Sequence, residues 1–560
     1  MLQRAFPILF LVILIVSCQQ RPKADVRYEI TSVLVDSLPQ LRVRMSMPAD
    51  SSGVTMLDFP NEAWGQKDLY NILGQMQLLN VEGAIEKDLD SGRVILMHPK
   101  EAKQLEFEYH LKQDFDGDLS TGRVYRPIID KTYFHLFSHS FFMVPKTVGD
   151  TIDIALHWTG FPENYTIHNS FGSGEREQFL EDMDRDFFGS AIFVGGDFKV
   201  LKGNIHGNRI SLATRGEWVP FKEEDVFQVL EQTLTCQRNF WNDHSQEYFT
   251  VTMQPFAQET GSSFQGTGLT NSFATSISNN DFTEIGQLVY LFNHELMHNW
   301  IGHAIKNDNE EEQYWFSEGF TEYYAFKNIA RNKINGLQGD YYVQEINRTI
   351  RDLYASSVME APNSEINYDN FWNDRDYSKL PYFRGAVFAF YLDQKIQDSS
   401  NGEKSLDDVM HQIYRDAFTK NQKLEHDYFI GVMNGYWEGD FENFFHKHII
   451  EGKKVDLAGL FEELRLDYEP MSDIYELGFE FDGERKKIER VVEGSKAWEA
   501  GLREGDEVYA RSIWQGSIEH QVELGLKRNG EKFQVAYYPI KKAEVPQLKP
   551  TASNIQKLGF

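Results

Sequence analysis

The chain has 560 residues, 41% hydrophobic and 14% aromatic, and carries a formal net charge of −29. That length exceeds one hydrophobic core and predicts about three domains, and the composition excludes a disordered chain. Acidity on this scale excludes nucleic-acid binding, which needs basic surface to displace counterions from phosphates.

The N-terminus reads as a processing segment. "MLQR" supplies a positive charge, and "AFPILFLVILIV" is a 12-residue apolar run, too short to span a bilayer comfortably. It leads into "IVSCQQ", where a small residue followed by cysteine resembles the lipobox of bacterial lipoproteins. The resemblance implies a lipoprotein signal peptide over 1–17, a lipid on Cys18 and a bacterial cell-envelope protein anchored to a membrane after signal-peptide removal. The only cysteines are Cys18 and Cys236, so acylation of Cys18 leaves no intramolecular disulfide. Any zinc site must then use histidine and carboxylate. Cys236 reads as a small buried residue on a helix.

The remainder predicts a multidomain α+β protein. Residues 18–170 read as strands: Leu41, Val43, Met45 and Met47 alternate with polar residues, as do Leu105, Phe107, Tyr109 and Leu111. This meander predicts an N-terminal β-sandwich-like domain. Residues 171–330 mix a helix, "FKEEDVFQVLEQTLTCQRNFW", with a strand, "YFTVTMQPF", and a Gly- and Ser-rich segment, "GSSFQGTGLTNSFATSIS". Residues 331–465 have helical periodicity. Residues 470–542 return to short strands, a short helix and glycine turns.

Chemistry concentrates in "LFNHELMHNW" and, 15 residues on, "WFSEGFTEYY". The first lies in a predicted helix that opens with a capping-box-like pair, Asp281 and Glu284. Residues Ile285, Leu288, Val289 and Phe292 recur at core-facing spacing. His294 and His298 are four apart, so their rings share one face and can bind one Zn²⁺ at about 2.0–2.1 Å each. Glu295, about 100° around the helix, can act as general base without being a ligand. A catalytic zinc needs a third ligand and an open position; Glu318 in "WFSEGF" is the leading candidate. His303 is the competitor, but Ile301 and Ala304 occupy the metzincin Gly and His positions. On a continuing helix His303 also points about 140° away from His298. Glu322, one turn after Glu318, reads as a supporting or surface residue, and Asn299 and Trp300 as residues that orient or underlie the histidine helix.

These motifs resemble the gluzincin metallopeptidases, and within them the glycyl aminopeptidase family. The resemblance implies an N-terminal β domain, a thermolysin-like zinc peptidase domain with a helical lobe, one Zn²⁺ per chain and a C-terminal PDZ-like domain. It places Tyr382, in "PYFRGAVFAFYLD", at the family's transition-state tyrosine. It also puts Gly266, Gly268, Leu269, Thr270 and Asn271 on the strand that binds substrate. The family's glutamate for the substrate amine is here Thr270, and a neutral hydroxyl cannot pair with an ammonium as a carboxylate does. The acidic run "KNDNEEEQ" could substitute or be a solvated loop. In "LGF", Leu477 to Phe479, the PDZ-like segment would offer backbone amides to a C-terminal peptide ligand, or be a purely structural appendage.

The expectation is a zinc-dependent, aminopeptidase-like enzyme of the cell envelope acting on peptide or protein substrates. The alternatives are a metallo-endopeptidase without amine recognition and a non-catalytic lipid-anchored scaffold.

Overall fold

The computed structural model describes residues 23–560; the expected signal peptide and Cys18 lie outside the described residues. The N-terminal region is β-rich. Its largest sheet contains β1 (Val26–Val35), β2 (Leu38–Pro48), β3 (Gln104–Lys112), β4 (Thr151–Thr159) and β5 (Glu177–Asp184). Asp36 and Ser37 both take positive φ, +50° and +67°, the geometry of a two-residue hairpin turn between β1 and β2. The alternation expected from sequence defines the core face: Leu41 stands opposite Leu111, Val43 opposite Tyr109, and Met45 opposite Phe107. All six are buried. Two further sheets, of four and five strands, complete this region. Strands past residue 170 belong to it, because β5 pairs with β4 and Ile192–Gly196 pairs with Tyr133–Phe137. Polar alternation in "EQFLEDMD" hides that continuation.

A five-stranded sheet follows, ordered β6 (Lys199–Ile205), β7 (Asn208–Thr214), β8 (Tyr248–Phe256), β10 (Ser272–Ser278) and β9 (Phe264–Leu269). The central pairs are parallel, and β9 is an antiparallel edge. Helices α1 (Glu223–Trp241) and α2 (Ile285–Glu295) cover this sheet. Val226, Leu230, Leu288 and Phe292 interlock with Val251, Met253 and Phe273 in one cluster.

The helical lobe begins with α3 (Glu310–Ser317), α4 (Gly319–Asn332), α5 (Gly339–Ala355) and α6 (Arg375–Ser399). Helix α4 is buried along nearly its whole length, walled by aromatic rings such as Trp315, Phe320 and Phe388. It meets α6 backbone to backbone. A Cβ on Gly319 would lie 2.3 Å from Gly385 Cα, and one on Gly385 would lie 2.0 Å from the Trp315 carbonyl oxygen. No side chain fits between them.

The C-terminal residues form short sheets, including β11 (Phe479–Phe481) with β12 (Ile488–Val491), around a small core of Phe479, Leu502, Leu524 and Tyr537. The tail beyond 542 returns to α5: Asn347 exchanges two 2.8 Å hydrogen bonds with the Leu548 backbone, and the Phe560 ring lies 4.4 Å from that of Tyr342. Among the described residues no helix is long and apolar enough to cross a membrane.

Candidate metal centre and peptidase site

Helix α2 starts at Ile285 rather than after Asp281. Thr283 Oγ1 donates to the Ser278 carbonyl and holds residues 281–284 in a turn, so the reciprocal cap is Glu284 with Gln287, whose Oε1 accepts from the Glu284 amide at 2.8 Å. The helix ends at Glu295 and continues as a 3₁₀ turn, Met297–Asn299, capped by Asn299 Nδ2 donating to the Leu296 carbonyl. His294 and His298 nevertheless stay on one side, with ring centroids 5.0 Å apart. Because the chain leaves the helix before His303, that residue is displaced by a turn at Gly302 rather than by helical rotation. Trp300 is buried beneath, donating from Nε1 to Asp243 Oδ2 at 2.9 Å.

Glu318 sits at the junction of α3 and α4, where α4 lies across α2. Its Oε2 lies 3.4 Å from His294 Nε2 and 3.7 Å from His298 Nε2. The three donor atoms all fall within 4.8 Å of one another. A tetrahedral ion with bonds of about 2.0–2.1 Å wants ligand atoms roughly 3.3 Å apart, so the spacing fits zinc. The same Oε2 is buried and meets no hydrogen-bond donor of good geometry. A carboxylate oxygen left that way is costly unless a cation takes it. His298 and Glu318 keep 22% and 18% side-chain exposure against 5% for His294, which leaves one side of the triad open to a ligand.

Outer contacts aim both rings. His294 Nδ1 faces Glu322 Oε2 at 3.1 Å, and the Tyr290 hydroxyl donates to the same oxygen at 2.5 Å. His298 Nδ1 faces the Ile301 carbonyl at 3.0 Å. These acceptors place the proton on each Nδ1 and leave each Nε2 lone pair for a metal. Burial disfavours a charged His294, yet Glu318 and Glu322 raise its pKa to about 10, so a metal binding at Nε2 takes the place of a proton there; burial likewise opposes ionised Glu318, but the two histidines lower it to about 2. A site that holds two buried carboxylates ionised is built for a cation.

Tyr382, on α6, stacks on His294 at 5.8 Å between centroids. Burial and the neighbouring Glu318 raise its pKa well above the ordinary phenol value, so it remains a donor. Glu295 is near enough to His294 and Tyr382 to act on both electrostatically. It also acts on Tyr125 of the N-terminal region, whose hydroxyl is pushed up to about 12 by burial and by Glu295, and donates to the Gly266 carbonyl at 2.9 Å.

The strand expected to bind substrate divides in two. Gly266 and Gly268 lie on edge strand β9; Phe273 covers Gly266 so closely that a Cβ there would meet its ring at 2.4 Å. Leu269, Thr270 and Asn271 face inward or into the hairpin turn. Leu269 packs with Phe137 and Val194. The Thr270 hydroxyl donates to the Phe187 carbonyl, and Asn271 takes positive φ in the turn. Those three are therefore structural, not substrate contacts. The run after Lys306 is also structural, with Asp308 paired to Lys423 and Glu310 accepting from Ser317. Tyr290 and Tyr125 were not singled out from sequence. Tyr290 lies one turn before His294, a spacing that could have marked it; Tyr125 has no local signal.

A fold of this kind, with two histidines and a glutamate converging beside a second glutamate and a phenol, fits a metal-dependent hydrolase. Residues 266–435 match the Peptidase family M1 domain. The chain is accordingly a zinc metallopeptidase, a hydrolase whose cofactor is Zn²⁺; among the described residues, His294, His298 and Glu318 are the group whose geometry could hold the ion. Over 95% of its length it is similar to a crystal structure of an aminopeptidase N family protein from Idiomarina loihiensis, with TM-score 0.69, 16% identity and 99% of that chain covered. It also aligns with an M1 zinc metallopeptidase from Deinococcus radiodurans, at TM-score 0.46 and 14% identity over 78% of this chain and 96% of that one. Yeast LTA4 hydrolase aligns at TM-score 0.44 and 13% identity, over 78% and 70% respectively. The first likeness shows a shared fold across nearly the whole chain.

Proposed function

We propose that the protein is an aminopeptidase-like enzyme of the bacterial cell envelope, tethered through a lipid on Cys18, that hydrolyses peptide bonds of peptide substrates. The observation that carries the chemistry is the unsatisfied Glu318 Oε2 facing both histidine Nε2 atoms. When bound, Zn²⁺ polarises the scissile carbonyl and lowers the pKa of a water towards ~7. Glu295 takes the proton of the attacking water and passes it to the leaving amine. Tyr382 donates to the carbonyl oxygen as negative charge develops on it. The open edge of β9 at Gly268 accepts the peptide backbone as an added strand.

A second reading, a metallo-endopeptidase without amine recognition, draws on Thr270. Its hydroxyl is committed to the Phe187 carbonyl, so β9 presents no carboxylate for a substrate ammonium. Digestion of a peptide library with and without chelator, with product mapping, separates the two readings. Products shortened residue by residue from the N-terminus support the first, and internal cuts support the second. Glu295→Gln should abolish turnover and retain zinc; a variant that still hydrolyses peptides would overturn the assignment.

The tether rests on the lipobox-like segment alone. Replacing Cys18 by Ser should move the protein from the membrane fraction to the soluble one.

A further inference from the structure

Helix α6 brings an ammonium group to the peptidase site. Lys379 stands three residues before Tyr382, a spacing that puts both side chains on one face of the helix. Its Nζ lies over the Tyr382 ring, 4.5 Å from the centroid, while His294 stacks on the same ring at 5.8 Å. One aromatic ring therefore separates the lysine from a metal ligand. Lys379 and Tyr382 both line a cavity of about 1040 Å³ between the helical lobe and the C-terminal β domain, so the ammonium stands where a substrate side chain can reach it.

Lys379 is exposed and, apart from that ring, makes no hydrogen bond or ion pair with a described residue. Acidic residues outnumber basic ones 85 to 56 in this chain, so a cation without a carboxylate partner is not for want of supply. The carboxylates on the same cavity wall are committed elsewhere. Glu322 faces His294 and accepts from Tyr290, Glu476 pairs with Lys541, Glu480 pairs with Arg490, and Asp376 accepts from the Ser357 hydroxyl. Asp352 lies within electrostatic reach of Arg375, one turn before Lys379 on α6. Lys379 is paired with none of these acids. The Tyr382 ring holds the ammonium in place without neutralising it. A carboxylate entering the cavity would supply the missing counter-charge, in a recess where water and salt screen less than on an open surface.

We propose that Lys379 selects substrates by charge, pairing with the side-chain carboxylate of an aspartate or glutamate that lies close to the bond being cut. The inference rests on the peptidase reading above and adds to it a preference for acidic peptides. Lys379 is a specificity-determining residue and moves no proton. Because a single ring separates it from a metal ligand, the group it meets belongs to a residue beside the scissile bond. A side chain supplies a carboxylate there in a peptide of any length, whereas the chain terminus does so only in the shortest.

The test uses peptides amidated at the C-terminus, so that no terminal carboxylate contributes. Each carries one glutamate at a successive position around the cut and is compared with its glutamine counterpart, which matches it in shape and lacks the charge. On the full chain loaded with zinc, kcat/KM should favour glutamate about tenfold at one position, with the difference in KM. The advantage should shrink as NaCl is raised. Lys379→Met should bring the ratio close to one, Lys379→Arg should keep it, and Lys379→Glu should turn it into a preference for lysine at that position. Ratios within about twofold at every position of the unmodified enzyme, or a glutamate preference that survives in Lys379→Met, overturn the inference and leave the peptidase reading intact. Absence of chelator-sensitive cleavage of every peptide removes the peptidase reading instead. Fluorescence anisotropy of labelled glutamate and glutamine peptides on the Glu295→Gln variant then still decides the role of Lys379.

Discussion

Glu322 is the residue on which the histidine geometry turns. It fixes the His294 tautomer from behind while Tyr290 fixes Glu322, so neither need touch the metal to control it. Replacing Glu322 by Ala should weaken zinc affinity by roughly 10–100-fold, measurable by competition with a chelating dye, and Tyr290→Phe should do less. Tyr382→Phe removes a donor whose contact strengthens only as the carbonyl oxygen becomes an anion. It should lower kcat by about 10²–10³ with little change in KM, in steady-state kinetics on a single peptide. Of these residues, His294, His298 and Glu318 were singled out by type and spacing and come together in the structure, whereas Tyr382 was singled out only by the family resemblance and lies against His294. Thr270 misled: its place next to the strand glycines suggested a substrate contact, but only the fold shows that its hydroxyl meets Phe187, 83 positions away.

At the level of elements, the crossing of α4 and α6 decides how the ligand and the phenol meet. Gly319 follows Glu318 directly, and Gly385 lies one turn after Tyr382. Replacing Gly385 by Ala forces a methyl into the Trp315 carbonyl and should cost about 1–3 kcal/mol or more, read as a lowered unfolding midpoint. The same helix α4 carries Lys327, which donates to Asp393 at 2.8 Å and to Asp407 at 2.7 Å. Lys327→Met leaves both carboxylates inside the protein without that partner, a change that typically costs 3–5 kcal/mol, or about that, by chemical denaturation. Helix positions were predictable from periodicity, whereas the true start of α2 depended on the turn at Thr283, which periodicity cannot register.

For the whole molecule, acid stability follows from that cluster. Burial would raise the Asp407 carboxyl, but Lys327 and Arg331 more than offset it and hold it well below the usual carboxylate range. A depressed folded-state pKa stabilises the protein at pH above the unfolded value of about 3.9, and the contribution fades as pH falls through the folded value. Asp407→Asn should therefore lower stability most near neutrality and make little difference in strong acid, as pH-dependent unfolding curves would show. The long-range architecture was only partly legible. The alternating residues of β2 and β3 announced their own pairing, because one buried face imposes a period of two. Nothing local announced that β5 joins β4 beyond residue 170, or that the tail at Leu548 docks on Asn347, since both depend on partners distant in sequence.

The glycine contact between α4 and α6 has one further effect. With the two main chains in contact, the spacing of the backbones that carry the carboxylate and the phenol is set with no intervening side chain to repack. Neighbouring aromatic side chains can therefore change over evolutionary time, or reorient thermally, without altering how closely the two helices approach.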